Sequence, residues 1–475
     1  MAMGRVHVLF WLDTEDYITP ESDDAPMRLA EIFSFYNVQG TFKLVGEKVR
    51  VLERRGRTDV IDALRGQDIG YHTDFHSKPP TITQYLAEMD WDEGVTEFIR
   101  RETPGLLDIQ RVFGITPSCY GHGGGTWGPH AFPALQTWGI PCYVSGSSYV
   151  ALNGRPFSYC GVLAFSALEH AMSIEFDIDR PDAATQLLAR LTPMYERLQH
   201  DGGGVISIGT HPLQWVTDEF WDGVNFPRGR NPLTEGWVRP PFKPPERVEA
   251  GYRNFRTFLE AILRLPDVEV SPAHRLIGLY PDRARGRTFS LADVVSLARA
   301  TTDVITFYRI DEADVSASEA FWLIIAPLVH YAVQKELPQD ISHRPVLGPV
   351  RQTATDLGGD TIPTTAFTEG LESAARYVEH HGRVPSEVWV GPWRMSPEDF
   401  LATAAAALVA LADGKLLDDV HIRRGSLTCT QYAREEYARG NWQWVCFPDG
   451  FTAGRTFDLA RLQTWTIKPA GMEQG

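Results

Sequence analysis

Over the first 280 residues the apolar positions fall into short runs that alternate between two periods. Val6, Val8, Leu9, Phe10, Trp11 and Leu12 form a nearly unbroken run that ends in Asp13, Thr14, Glu15 and Asp16. A run of that length and composition predicts a buried strand with carboxylates at its tip. Met27, Ala30, Ile32, Phe33 and Tyr36 then recur near helical spacing behind Asp23 and Asp24, the pattern of an amphipathic helix with acids at its N-terminus. Residues 40–46 read as a short strand between glycines, 60–64 as helix, and 68–72 as a strand running into a histidine-bearing turn. Helices at 84–89, 96–102, 131–138, 187–198 and 252–263 are interleaved with strands at 139–144, 203–211 and 268–271. This rhythm predicts an α/β fold around a parallel sheet, with the chemistry in loops at one end.

Beyond a linker at 281–287 the pattern turns mainly helical, and the boundaries drawn from it are 1–280 and 288–475. In the second part Ser316, Glu319, Phe321 and Leu323 are echoed by Ser396, Asp399, Phe400 and Leu401. That is a weak internal repeat at a period of about eighty residues, each copy a capped helix start followed by an apolar run.

Composition adds exclusions. The chain has 475 residues, is 43% hydrophobic and carries a net charge of −16, so a sizeable core is expected. The acidic balance argues against a nucleic-acid partner, which would be held by lysines and arginines on phosphates. The arginines at 50, 54, 55 and 57 read as a solvated helix end. Five cysteines at scattered positions form no C-x-x-C pair, which fits a reducing compartment. No apolar run approaches the ~20 residues of a membrane span. The expectation is a cytoplasmic protein with no membrane partner, for which homo-oligomerisation stays open.

The candidate chemistry centres on residues 68–77, where His72 and His76 stand four apart beside Gly70, Thr73 and Ser77. In a tight turn both rings project to one side. With a carboxylate from the end of the first strand they would make a metal site able to activate water, the alternative being two ordinary loop histidines. His211, at the end of a buried strand, is placed to act as an acid. The glycine-rich stretch 121–128 lacks any phosphate-binding frame. It suits close approach of backbone N–H groups to a ligand with Trp127 as a stacking wall, or else mere flexibility. Residues 213–247, rich in Trp and Pro and containing Trp215, suit the wall of a substrate groove or a cap.

Taken together, residues 5–280 resemble the polysaccharide deacetylase (NodB-homology) family. Residues 40–46 are similar to its A-T-F-F-V-V-G strand, and residues 68–77 follow its E-I-G-N-H-T-x-x-H segment almost position for position. The resemblance implies a distorted parallel (β/α) barrel of about seven units. It also implies a divalent metal, most often zinc, held by His72, His76 and an aspartate of the first motif. That motif departs from T-F-D-D-G. Aligning Glu15 and Asp16 on the paired aspartates makes Asp16 the ligand and Glu15 the base, whereas a shifted alignment makes Asp13 the base. The family's R-x-P-Y-G survives only as Cys119, Tyr120 and Gly121, so the arginine that orients the base is missing; Arg180 is a candidate substitute. The backbone N–H of Tyr120 would hold the oxyanion and His211 would protonate the leaving amine. The C-terminal part weakly resembles pseudomurein-binding repeats, with a helical cap or dimerisation role as the alternative.

The function expected is metal-dependent removal of an acetyl or other acyl group from an N-acylated carbohydrate or a related small amide. The lost arginine and altered first motif leave two alternatives: a non-catalytic carbohydrate-binding protein on the same scaffold, or a hydrolase of a non-sugar C–N bond such as a ureide.

Overall fold

Every residue of the first strand, β1 (Val6–Thr14), is buried, and the strand is an interior member of an eleven-stranded sheet. The structure, a computed structural model, describes residues 4–416 and 418–473. Following β1 along the chain are β2 (Thr41–Leu44), β3 (Asp68–Tyr71), β4 (Cys119–Tyr120), β5 (Cys142–Ser145), β6 (Phe157–Tyr159), β7 (Val162–Ser166), β8 (Ala171–Ser173), β9 (Gly204–Thr210) and β10 (Val268–Val270). They pair in the order β6-β7-β5-β4-β3-β2-β1-β9-β8, with β10 against the first residues of β1. All of these ladders are parallel except β6–β7.

Alternation along β1 divides its side chains between two environments. Val6, Val8, Phe10 and Leu12 pack outward under the helices, where the Phe10 ring lies 5.5 Å from Phe33 and 5.9 Å from Phe255. Leu9 and Trp11 join Cys119, Cys142, Val144 and Phe165 on the inner side. Contact between β1 and strands four places away requires the sheet to curl. Lys43 on β2 reaches the carbonyl of Val144 on β5 at 2.9 Å across the same interior. Among the described residues the ends of the sheet do not pair with each other, so the distorted parallel barrel expected is an incomplete one, a curled half-barrel.

The chain after 288 contains a duplicated unit. Strand Thr288–Ser290, helix Leu291–Ala300, hairpin Tyr308–Ile310/Ala313–Val315, helix Ala317–Gln334 and strand Asp340–Ser342 make one copy. Thr361–Pro363, Thr364–His381, Val388–Val390/Trp393–Met395, Pro397–Ala412 and Asp419–His421 make the next. In each copy the first and last strands pair antiparallel. Ser316 and Ser396 cap their helices by accepting from the amides of Glu319 and Asp399. The two helices so capped pack together through Phe321 and Phe400, whose rings are 6.1 Å apart and buried; they are core.

The chain end does not stay with the helices. Strand Lys468–Pro469 pairs antiparallel with β6 and extends the barrel sheet. Its Lys468 Nζ lies 2.8 Å from Asp282 and 2.9 Å from Glu319, with His343 Nε2 3.1 Å from the same Glu319 carboxylate. Burial alone would raise the Glu319 pKa, but Lys468 and then His343 outweigh it and hold the carboxyl at about 2. A depressed folded-state value gives stability that is whole above the unfolded value near 4.5 and is lost as pH falls toward 2. Lys468→Met leaves Glu319 charged and buried, and we expect it to cost about 3–5 kcal/mol. Urea midpoints at pH 7 and pH 3 check this: the loss should be smaller at pH 3, where part of the stabilisation is already gone.

Candidate metal and catalytic centre

The inner face of β1 continues past Leu9 and Trp11 to Asp13, whose register partner on β2 is Lys43. Lys43 Nζ sits 2.7 Å from Asp13 Oδ1 and 4.2 Å from the Trp11 ring centre, fully buried. The position opposite Lys43 on β3 is Gly70, where a Cβ would come within 2.8 Å of the Lys43 side chain. Glycine there leaves the room the ammonium occupies. Burial would raise the Asp13 pKa, but His72, Lys43 and His211 together lower it.

His72 follows β3 directly, and its backbone N–H donates to the Leu44 carbonyl at 2.8 Å. The chain then turns tightly, with Thr73 and His76 at φ of +68° and +55°. Both are β-branched or ring-bearing residues in the left-handed region, a strained arrangement of the kind that concentrates at functional sites. The turn is pinned because Thr73 Oγ1 accepts from the His76 amide and the Thr73 carbonyl accepts from the Gly46 amide, each at 2.9 Å. The buried Glu102 accepts from the Asp74 amide at 2.7 Å, and burial pushes its carboxyl up to about 7.

Hydrogen bonds to the far side of each ring fix its tautomer. His72 Nδ1 lies 2.9 Å from the Gly121 carbonyl, which can only accept, so Nδ1 carries the hydrogen. His76 Nδ1 meets Ser77 Oγ, and that hydroxyl donates to Asp222 Oδ2 at 2.7 Å, so Nδ1 of His76 is again the donor. Both Nε2 atoms therefore present lone pairs, are buried, and find no hydrogen-bond donor. What faces them is a carboxylate. Glu15 Oε2 is 2.8 Å from His76 Nε2 and 3.6 Å from His72 Nε2, while its Oε1 accepts from Trp221 Nε1 at 3.1 Å.

Two lone pairs turned on an anion need a cation between them. Ligands at ~2.0–2.1 Å around a tetrahedral ion stand about 3.4 Å from one another, close to the spacings here. Glu15, His72 and His76 thus fit a divalent metal, and Asp13, Glu15 and His211 form a second, overlapping set of close ligand atoms. Burial opposes ionisation of Glu15, but His76 and His211 outweigh it and hold its pKa well below the usual carboxylate range. Burial lowers the pKa of His72, whereas the Glu15 charge raises that of His76 against burial.

Asp16, expected to be the ligand, belongs to neither set. Its Oδ1 accepts from the amides of Ile18 and Thr19 at 3.0 Å, which turns it into the support of the following loop. Arg180 does not reach Asp13: it borders a separate hollow with Glu175 and Asp177, and the cation that holds Asp13 is Lys43. His211, one residue past β9, is half-buried with Nε2 3.7 Å from Asp13 Oδ2, and its ring stands edge-on to Phe220 at 5.0 Å.

The side chains of three residues expected to meet substrate lie in the core, although for Tyr120 the expected contact is the backbone N–H rather than the ring. Tyr120 is buried among Tyr71, Phe98 and Tyr143. Trp127 packs on Tyr149 and Phe132, and Trp215 on Tyr252 and Phe255. The glycine run makes room for neighbouring side chains, and Gly124 lines the cleft beside them. A Cβ on Gly123 would lie 2.4 Å from the His76 ring and one on Gly124 2.0 Å from the Trp444 ring. Trp444 arrives from the C-terminal segment and, with Phe220 and Val445, walls a cleft of about 460 Å³ that opens onto Glu15, His76 and His211.

Lys43 had a signal in the sequence, a lone cation inside an apolar strand. Asp222 and Trp444 had none, because both enter by long-range folding.

The chain matches no protein-family model and no curated protein sequence. Solved structures of similar shape include a protein from Mycobacterium smegmatis assigned as a polysaccharide deacetylase (15% identity, 58% of this chain and 90% of that one, TM-score 0.37). An allantoinase is similar over 58% of this chain and 92% of its own (12% identity, TM-score 0.39). So is the 4-alpha-glucanotransferase of Thermococcus litoralis over 59% and 41% (15% identity, TM-score 0.40). None of these likenesses extends to pseudomurein-binding repeats. At such scores they decide nothing about activity, which has to be judged from the site.

Proposed function

We propose that the chain is a metal-dependent hydrolase of a C–N bond, removing an acyl group from an N-acylated carbohydrate or related amide. The observation that carries this is the pair of buried Nε2 lone pairs, fixed by Gly121 and by Ser77–Asp222 and aimed at Glu15. Glu15, His72 and His76 would hold the ion. A divalent metal in such a site makes water a nucleophile near neutral pH and polarises a carbonyl.

The chain's own groups supply the proton transfers. Asp13 is kept ionised and oriented by Lys43, so one carboxylate oxygen is free to take a proton from water at the mouth of the site. His211, the most exposed of the cluster, stands on the other side of Asp13 and donates a proton to the amine nitrogen as it leaves. Lys43 supports the catalytic reading over a non-catalytic one, since it gives Asp13 a cationic partner where the expected arginine is missing.

Metal-loaded protein should release the carboxylic acid and the free amine in equal amounts from an N-acyl substrate and lose that activity on chelation. Stoichiometric metal with no release from any N-acetyl sugar, acetamide or ureide would defeat the proposal.

A further inference from the structure

Resting on the hydrolase reading, the cleft walls carry a statement about the substrate. The walls hold Glu15, Glu219 and Asp222 but, among the described residues, no lysine or arginine. Glu15 belongs to the metal set, and Asp222 is committed to Ser77 and to the Gly223 amide at 2.6 Å. Glu219 is different. It is exposed and, among the described residues, its side chain makes no ion pair or hydrogen bond.

Two aromatic rings line the same cleft. Phe220 is the next residue after Glu219, and Trp444 lies with its ring centre 6.3 Å from that of His76. The segment bearing Trp444 is built into the mouth rather than laid over it. Asn441 Nδ2 donates to the Gly125 carbonyl at 3.2 Å, and the Val445 carbonyl accepts from the Arg228 amide at 2.8 Å. The buried, unpaired Nε2 atoms of His72 and His76 mark the depth at which the amide would sit.

An unpaired carboxylate beside aromatic faces, with no lysine or arginine in the cleft wall among the described residues, is the chemistry that receives an ammonium group. A carboxylate or phosphate placed beside Glu219 would meet like charge there, and an uncharged group would leave Glu219 facing water. We propose that the substrate carries a protonated amine close to its acylated nitrogen, held by Glu219 and flanked by Phe220 and Trp444. An amino sugar next to an N-acetylated one and a mono-acylated aliphatic diamine share this chemistry.

Matched pairs test it and separate the two sources. One pair is a chitobiose-type disaccharide with one free amine against its fully N-acetylated form. The other is N-acetyl-1,4-diaminobutane against N-acetylbutylamine. With the metal-loaded full-length protein, one aminated member should show kcat/KM about tenfold above its neutral partner, mainly through KM. In Glu219→Gln the ratio should fall toward one, and in Trp444→Ala it should shrink. Calorimetric binding of glucosamine and 1,4-diaminobutane, each against its N-acetylated form, gives a readout independent of turnover. Amine-selective binding that Glu219→Gln abolishes supports the inference even if no amide is cleaved, a result that would fail the hydrolase reading alone. Equal handling of both members of each pair by turnover and binding, or a preference unchanged in Glu219→Gln, overturns it.

Discussion

His72→Ala is expected to abolish stoichiometric metal binding and reduce amide hydrolysis by more than about 10³-fold. On the proposed reading the ring is one of three donors, and its replacement opens a buried gap bordered by Asp13 and Glu15, two carboxylates that repel one another without the imidazole between them. Elemental analysis after dialysis against trace zinc reads the first effect and acid release reads the second. Retention of one metal per chain in His72→Ala would place the ion elsewhere.

Asp13→Asn is the complementary case. The amide oxygen would still face the Lys43 ammonium, which also donates to the Val144 carbonyl, but the side chain can no longer take a proton. We expect kcat to fall by about 10³-fold, within the range for removal of a general base, while metal content stays at one per chain. Thermal melts identify any contribution from Lys43, since an unpaired buried charge would show as lost stability rather than as slow turnover. Loss of metal in Asp13→Asn would instead make Asp13 a ligand and require a different base.

The two variants also show how far the sequence could lead. The pairing of His72 and His76 was legible because both lie within one turn, where spacing alone brings them together. The parallel α/β rhythm was legible for a related reason: strand and helix periods are local properties. The placement of Asp13, Glu15 and Asp16 was not. It depends on where β1 ends, and that is set by its register with β2, which puts Asp13 opposite Lys43 and leaves Asp16 to hold the amides of Ile18 and Thr19.

The aromatic residues misled in a physical way. Trp127 and Trp215 have the size and flanking glycines or prolines of a ligand wall, yet the core claims them because burying so large a surface is favourable wherever a fitting site exists. Conversely, nothing near Trp444 announces that it will cross to Gly124, some three hundred residues earlier, and help form the cleft. The linker at 281–287 suggested two separate halves. Lys468, bridging Asp282 and Glu319 on a strand added to the barrel sheet, ties the end of the chain back to the first half.

The identity of the carboxylate beside the histidines is the point on which the chemistry turns. Anomalous diffraction at the zinc edge from crystals of the loaded protein measures it directly. The expected map has one strong peak bounded by Nε2 of His72, Nε2 of His76 and the carboxylate of Glu15, with Asp16 still on its two amides. A peak coordinated by Asp16 in place of Glu15, or no peak between the two rings at full loading, would contradict the assignment.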